Sequence, residues 1–190
     1  WVPVAAREGC GKFLGAGLDE AVELRGLLPD KCIAGLKGVL AGTEPVFTDH
    51  NLLPVRNDRG QSERWAAHSN ARGGDPLEAL VHLDTGMNRL GLPPEETRRL
   101  AAEPGRLDGL RLSLVMSHLA CAEQPDNPMN QAKRTEVDEL RARLPAAPAS
   151  FANSSGVFLG ADYHYDLGRP GVALYGVNPT PDKPNPMAEV

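Results

Sequence analysis

Much that would classify a chain at a glance is missing from these 190 residues. No apolar run reaches the roughly 20 residues of a membrane span, and no charged-then-apolar secretory leader is present, so the reading has no membrane partner. Cysteine is scarce: Cys10, Cys32 and Cys121 are odd in number and far apart. They fit neither a disulfide framework nor a zinc motif, so no metal site is expected. Buried thiols in a reducing, cytoplasmic setting are the simplest reading. Positive charge is not in excess either. The formal net charge is -5 with no basic stripe, which argues against nucleic acid as a partner. Neither a Gly-rich dinucleotide fingerprint nor a P-loop occurs. An initiator methionine is also missing. With Trp1 at one end and a proline-rich run at the other, both ends read as cut, and the chain as a piece of a longer protein.

What is present is an alternation. Short apolar runs at 12–18, 32–36, 52–56, 77–83, 110–116 and 150–152 read as strands, with a seventh following the Tyr165 region. Pro54 sits awkwardly in the third, because proline removes a ladder donor. Helical patterns lie between: the tail of one over 1–11, then 19–28 behind Asp19, a short one from Gly42, and 58–71. Others open at Pro93-Pro94 and at Asn127-Pro128, the last running to about Leu144 with a Glu139–Arg143 ion pair. Such βα units specify an α/β chain with a parallel sheet. An open doubly wound sheet and a barrel both satisfy that pattern. Several runs end in small or titratable polar residues, namely Asn57, Asp84 with Thr85, His118, and Asn153 with Ser154. Strand ends that all carry polar groups favour the barrel, whose ligands sit at the C-terminal mouth. The expected fold is thus an incomplete (β/α)8 TIM-type barrel, with seven strands where eight are needed.

The stretch from Ala152 to Gly176 organises the chemistry. Asn153 and Ser154 follow an apolar run, and Asp166-Leu-Gly-Arg-Pro-Gly-Val172 comes shortly after. Pro170-Gly171 fixes one backbone angle and frees the next, so bare amides can turn toward an anion. Such amides beside a serine hydroxyl make a phosphate cradle. Arg169 adds a fixed-geometry donor beside it.

Four segments then become recognisable. The run 82–91, His-Leu-Asp-Thr-Gly-Met-Asn-Arg-Leu-Gly, resembles the Lys-x-Asp-Thr-Gly-Met-x-Arg-x-Gly motif of bacterial alanine racemases. The segment 117–130, opening Ser-His-Leu-Ala-Cys-Ala-Glu, is similar to their Ser/Thr-His-hydrophobic-Ala-x-Ala-Asp/Glu segment. Asn153-Ser-Ser-Gly156 and Arg169-Pro-Gly-Val-Ala-Leu-Tyr-Gly176 resemble two more of their motifs, and Leu18-Asp-Glu-Ala21 fits as well. All occur in family order across essentially the whole chain.

That resemblance implies a fold-type III pyridoxal-phosphate enzyme: a barrel that binds the cofactor, then a β-rich domain, working as a homodimer. It implies racemisation of alanine through a pyridoxal-phosphate aldimine by two bases, supplying D-alanine for peptidoglycan. Residues 1–176 would be the partial cofactor-binding barrel and 177–190 a Pro-rich linker. Ser154 would bond the cofactor phosphate, with Gly171 and Val172 offering backbone N–H groups. Arg169 would face the pyridine nitrogen. An arginine keeps its proton, so the ring nitrogen would stay unprotonated and the ring a weaker electron sink. His118 would pack on the ring and bond Arg169, Arg89 would lie near the phenolic oxygen and the substrate carboxylate, and Asn153 would shape the pocket floor. Arg89, His118 and Arg169 are thus the supporting catalytic set, and Asp84 reads as a capping carboxylate.

The chain also departs from the family. The catalytic lysine motif, Lys-Ala-Asp/Asn-Ala-Tyr-Gly, would precede Trp1 with the first strand, and the catalytic tyrosine would follow Val190, so neither base is expected here. His82 stands where many members carry a carbamylated lysine that orients the arginine, and Lys37-Gly38 stands where Asn-Gly is common. A sheet lacking a strand should leave two bare edges and fold poorly alone. Two further readings stay open: a catalytically inert truncated barrel that binds pyridoxal phosphate, and a racemase of the same fold for serine or other amino acids.

Overall fold

The computed structural model describes residues 1–188, without the side chains of Pro104 and Arg106. Six strands form one parallel sheet in sequential order: β1 (Lys12–Gly15), β2 (Cys32–Gly35), β3 (Leu53–Arg56), β4 (Leu77–His82), β5 (Leu110–Met116) and β6 (Ala149–Ser150). The helices are α1 (Val2–Arg7), α2 (Leu18–Leu27), α3 (Glu44–Asp49), α4 (Arg59–Arg72), α5 (Pro94–Ala102) and α6 (Pro128–Arg141). Strictly sequential parallel order with a helix between successive strands is the topology of an incomplete barrel.

The local signals explain the elements. Asp58 accepts the amide of Gln61 at 2.7 Å and starts α4; Asn127 accepts that of Met129 at 3.0 Å and starts α6. Pro94 and Pro128 stand where a helix has no use for an N–H. Pro54 is tolerated in a strand of only four residues. On the concave side, Ala34, Val55, Leu80, Leu114 and Met116 pack together with no helix residue among them. The opposite face carries Ile33 and Ala79 against Leu24, Phe47 and Trp65, and further round Val81 and Val115 against Leu100 and Leu140. The sheet is therefore buried on both sides, as parallel sheets are.

Three expectations are corrected. Among the described residues the sheet has six strands, not seven. Tyr165 itself makes an antiparallel bridge to Ser150, and Val172–Tyr175 is a 3₁₀ turn. Gly168, Pro170 and Gly171 break the run, so its polar groups bond singly instead of in a ladder. Second, α6 ends at Arg141, leaving Arg143 beyond the helix, and no Glu139–Arg143 ion pair forms among the described residues. Third, the β6 edge is not bare. Asp166 donates its amide to Ala149 O at 3.0 Å and accepts that of Ala149 at 2.7 Å, and Ser150 Oγ donates to Leu167 O at 2.6 Å. The segment that failed to become a strand thus covers that edge. On its outer side β1 has no strand partner among the described residues. Residues 177–188 carry neither helix nor strand, and the last two positions of the expected linker lie outside the described residues.

Candidate functional site

The C-terminal ends of the strands converge around a cavity of about 440 Å³, lined among others by His82, Arg89, His118, Arg169 and Gly171. A larger cavity of about 750 Å³ opens at the other end of the sheet. Two of the cations there are engaged: Arg25 donates to the carbonyls of Leu28, Pro29, Lys31, His50 and Asn51, and Arg111 pairs with Glu78. The smaller cavity is the one that gathers the polar residues of the strand ends.

Each wall is built from a strand end. After β4 the chain loops out and back, with Asp84 N donating to Leu92 O and Leu92 N to His82 O, both at 2.8 Å. Gly91 makes that return possible. It has φ +109, and a Cβ there would stand 2.8 Å from Asp84 N and 3.0 Å from Leu83 C. Within the loop Asp84 Oδ1 accepts the amides of Gly86, Met87 and Asn88, each at 3.0 Å. Asp84 is thus a capping carboxylate, and its loop presents Arg89, which is exposed and lines the cavity. Thr85 Oγ1 meets Ser117 Oγ at 2.9 Å and ties the loop to the end of β5.

Past β5, His118 meets Arg169. The Arg169 guanidinium donates to Ser117 O at 2.5 Å, to Ser150 Oγ, and to His118 Nδ1 at 3.4 Å. Because an arginine only donates, His118 Nδ1 accepts and the ring proton lies on Nε2. Asn153 Oδ1 accepts the Gly156 amide at 2.9 Å, and its Nδ2 donates to Leu119 O at 3.3 Å. Its 3.4 Å approach to His118 Nε2 is then a contact between donors, not a bond. One residue on, the buried Ser154 Oγ accepts the amides of Gly171 at 2.8 Å and Ala173 at 3.2 Å. Those amides and the hydroxyl make one polar concavity. Among the described residues the Val172 amide has no hydrogen-bond partner, and its side chain is exposed.

His82 closes the floor. Asn57 Nδ2 donates to Leu36 O at 2.8 Å and Val55 O at 3.0 Å, so Asn57 Oδ1 must accept, and His82 Nδ1–H donates to it at 3.1 Å. Burial first, and the positive charge of Arg169 second, hold His82 and His118 down to about 4. Burial lowers Arg169 only to about 10. At neutral pH the cavity therefore holds charged arginines and neutral imidazoles. That balance suits a ligand with anionic groups and a flat ring.

Residues 1–179 match a family described as alanine racemase, N-terminal domain. The chain belongs to the alanine racemase family. It is 48% identical over 187 residues to the catabolic alanine racemase of Mesorhizobium japonicum, covering 97% of this chain and 48% of that protein. To the alanine racemase of Rhodospirillum rubrum it is 45% identical over 190 residues, covering all of this chain and 50% of the other. Among solved structures, the alanine racemase of Bartonella henselae with covalently bound pyridoxal phosphate superposes with a TM-score of 0.93 at 33% identity, over 98% of this chain and 54% of that one. The chain thus spans about half the length of the relatives it matches.

Within this alanine racemase domain, sequence motifs located Arg89, His118, Asn153, Ser154, Arg169 and Gly171, and the structure brings them to one mouth. Val172 follows Gly171 but does not line the cavity. Three participants went unremarked in the sequence. Ser150 holds Arg169, and the amide of Ala173, rather than that of Val172, meets Ser154. Lys133 is buried beneath His118. Only Lys133 had a visible signal: it lies four residues before Val137 and seven before Leu140, on the apolar stripe of α6.

Proposed function

We propose that the protein containing these residues is a pyridoxal-phosphate-dependent alanine racemase, and that this chain supplies its cofactor mouth, with 1–176 as the barrel part and 177–190 as a linker. The observation that carries the reading is the joining of Ser154, Gly171, Arg169 and His118 at one set of strand ends, in a chain of this family. These residues fit the group. Ser154 and the amides of Gly171 and its neighbours would hold the phosphate. Arg169 would donate to the pyridine nitrogen without giving up its proton. His118 would lie against the ring, Asn153 would set the floor, and Arg89 would pair with the substrate carboxylate. When bound, pyridoxal phosphate supplies the electron sink that loosens the Cα–H bond. The two proton-transferring bases implied by the family are assigned to no residue of this chain. Neutral His82 and His118 keep the mouth free of extra charge across neutral pH.

On this reading the protein is a cytoplasmic homodimer, and D-alanine for peptidoglycan is its product. The name of the Mesorhizobium relative favours a second physiological direction, in which the same reaction serves alanine breakdown. A deletion strain separates them: a D-alanine requirement supports supply, and failure to grow on alanine alone supports breakdown. The activity is tested by incubating the protein expressed from its complete gene with L-alanine in deuterated water. D-alanine carrying deuterium at Cα is the expected product. Turnover of serine in preference to alanine, or no label at Cα, overturns the substrate or the reaction.

A further inference from the structure

Lys133 on α6 takes no part in the binding roles above, yet it is only 2% exposed. A lysine is rarely buried without a task for its charge. Its Nζ donates to His118 O at 3.5 Å. A Cβ built on Gly86 would stand 3.7 Å from the same nitrogen, so the ammonium lies against the loop that carries Arg89. Gly86 has φ +101, and its amide is one of those fixed by Asp84. Asp84 is also the carboxylate whose charge chiefly offsets the burial of Lys133. One cation thus touches the backbone behind His118 and the turn that presents Arg89.

We propose that Lys133 is a positioning residue: its ammonium clamps the Asp84–Arg89 loop to the end of β5 and so sets Arg89 relative to His118. The clamp works with the Thr85–Ser117 bond, which joins the same segments through hydroxyls. That hydroxyl pair is buried but carries no charge. Losing the ammonium leaves the acidic Asp84 turn without its counter-charge and His118 O without its donor. The inference rests on the proposed function only for its consequence in catalysis, since the clamp itself is a matter of backbone mobility.

The test compares wild type, Lys133→Met and Lys133→Arg in the protein expressed from its complete gene. Hydrogen exchange at the amides of Gly86, Met87 and Asn88 should quicken about tenfold in Lys133→Met and return to within about threefold of wild type in Lys133→Arg. Exchange across β2, remote from the clamp, should not change. KM for alanine should rise about tenfold in Lys133→Met, with a smaller fall in kcat. Unchanged exchange at those amides, or an equal rise in β2, overturns the clamp. If the loop loosens as stated but wild type neither binds pyridoxal phosphate nor racemises alanine, the clamp stands and the functional reading fails.

Discussion

Arg56 offers the sharpest test of the energetics, because it is a charge held out of water. It closes β3, is wholly buried, and among the described residues has no hydrogen-bond partner on Nε, Nη1 or Nη2. Val55 packs in the concave cluster, so alternation along the strand sends Arg56 to the opposite, helix-covered face. Burial alone lowers its pKa from the ordinary guanidinium range to about 10. That difference places about 3 kcal/mol against the charged form in the folded state. Arg56 is cationic in both states at neutral pH, so the penalty is present in full below pH 10. It fades only as pH rises above about 10, where the folded protein loses a proton that the unfolded chain still holds. Arg56→Met keeps the aliphatic stem and deletes the charge, and should stabilise the protein by about 1–4 kcal/mol. Thermal melts should show a rise of about 2–4 °C per kcal/mol for a domain of this size, and the same rise at pH 6 and pH 8. Arg56→Ala is the control: it deletes the charge but opens a cavity, so its gain should be smaller or absent. A lower melting temperature for Arg56→Met would refute the reasoning, since it would mean the guanidinium has a stabilising partner.

Two further perturbations follow from the same geometry. His82 and His118 are held near 4 while unfolded histidine titrates near 6.5, so stability should be full above pH 6.5 and fall between 6.5 and 4, by at most about 3 kcal/mol for each; melts at pH 7 and pH 4.5 check this, and replacing His82 by Gln should shrink the fall. Gly91→Ala should cost about 2–4 kcal/mol, since it meets both a left-handed backbone and fixed main-chain atoms of Leu83 and Asp84, and it should weaken cofactor binding together with stability; an unchanged melting temperature would mean that the turn relaxes freely.

Much of this molecule is written locally, and what is not depends on distant contacts. The strands were legible because their apolar runs end in polar residues, and the caps Asp58 and Asn127 because capping is a short-range event. The motif residues at the mouth were legible as a set, though none was decisive alone. The seventh strand expected after the Tyr165 region does not form, because Pro170 and Gly171 lead into a 3₁₀ segment, and the amides of Gly171 and Ala173 meet Ser154 instead. Ser150 looks like any strand residue until Arg169 arrives from 19 positions away. The burial of Arg56 is likewise set by packing against other elements, which a linear pattern does not record. His82 was legible as a departure, but its proton was placed only by Asn57, whose amide is oriented by Leu36 and Val55.

The central claim is that one mouth, made of Ser154, Gly171, Arg169 and His118, holds a phosphorylated pyridine. The most direct measurement is a fluorescence titration of pyridoxal phosphate into the protein expressed from its complete gene, beside Ser154→Ala and Arg169→Leu. Wild type should bind, and each variant should weaken binding about tenfold or more, equivalent to about 1.4 kcal/mol. Binding that is absent in wild type, or equally tight in all three proteins, would contradict the account.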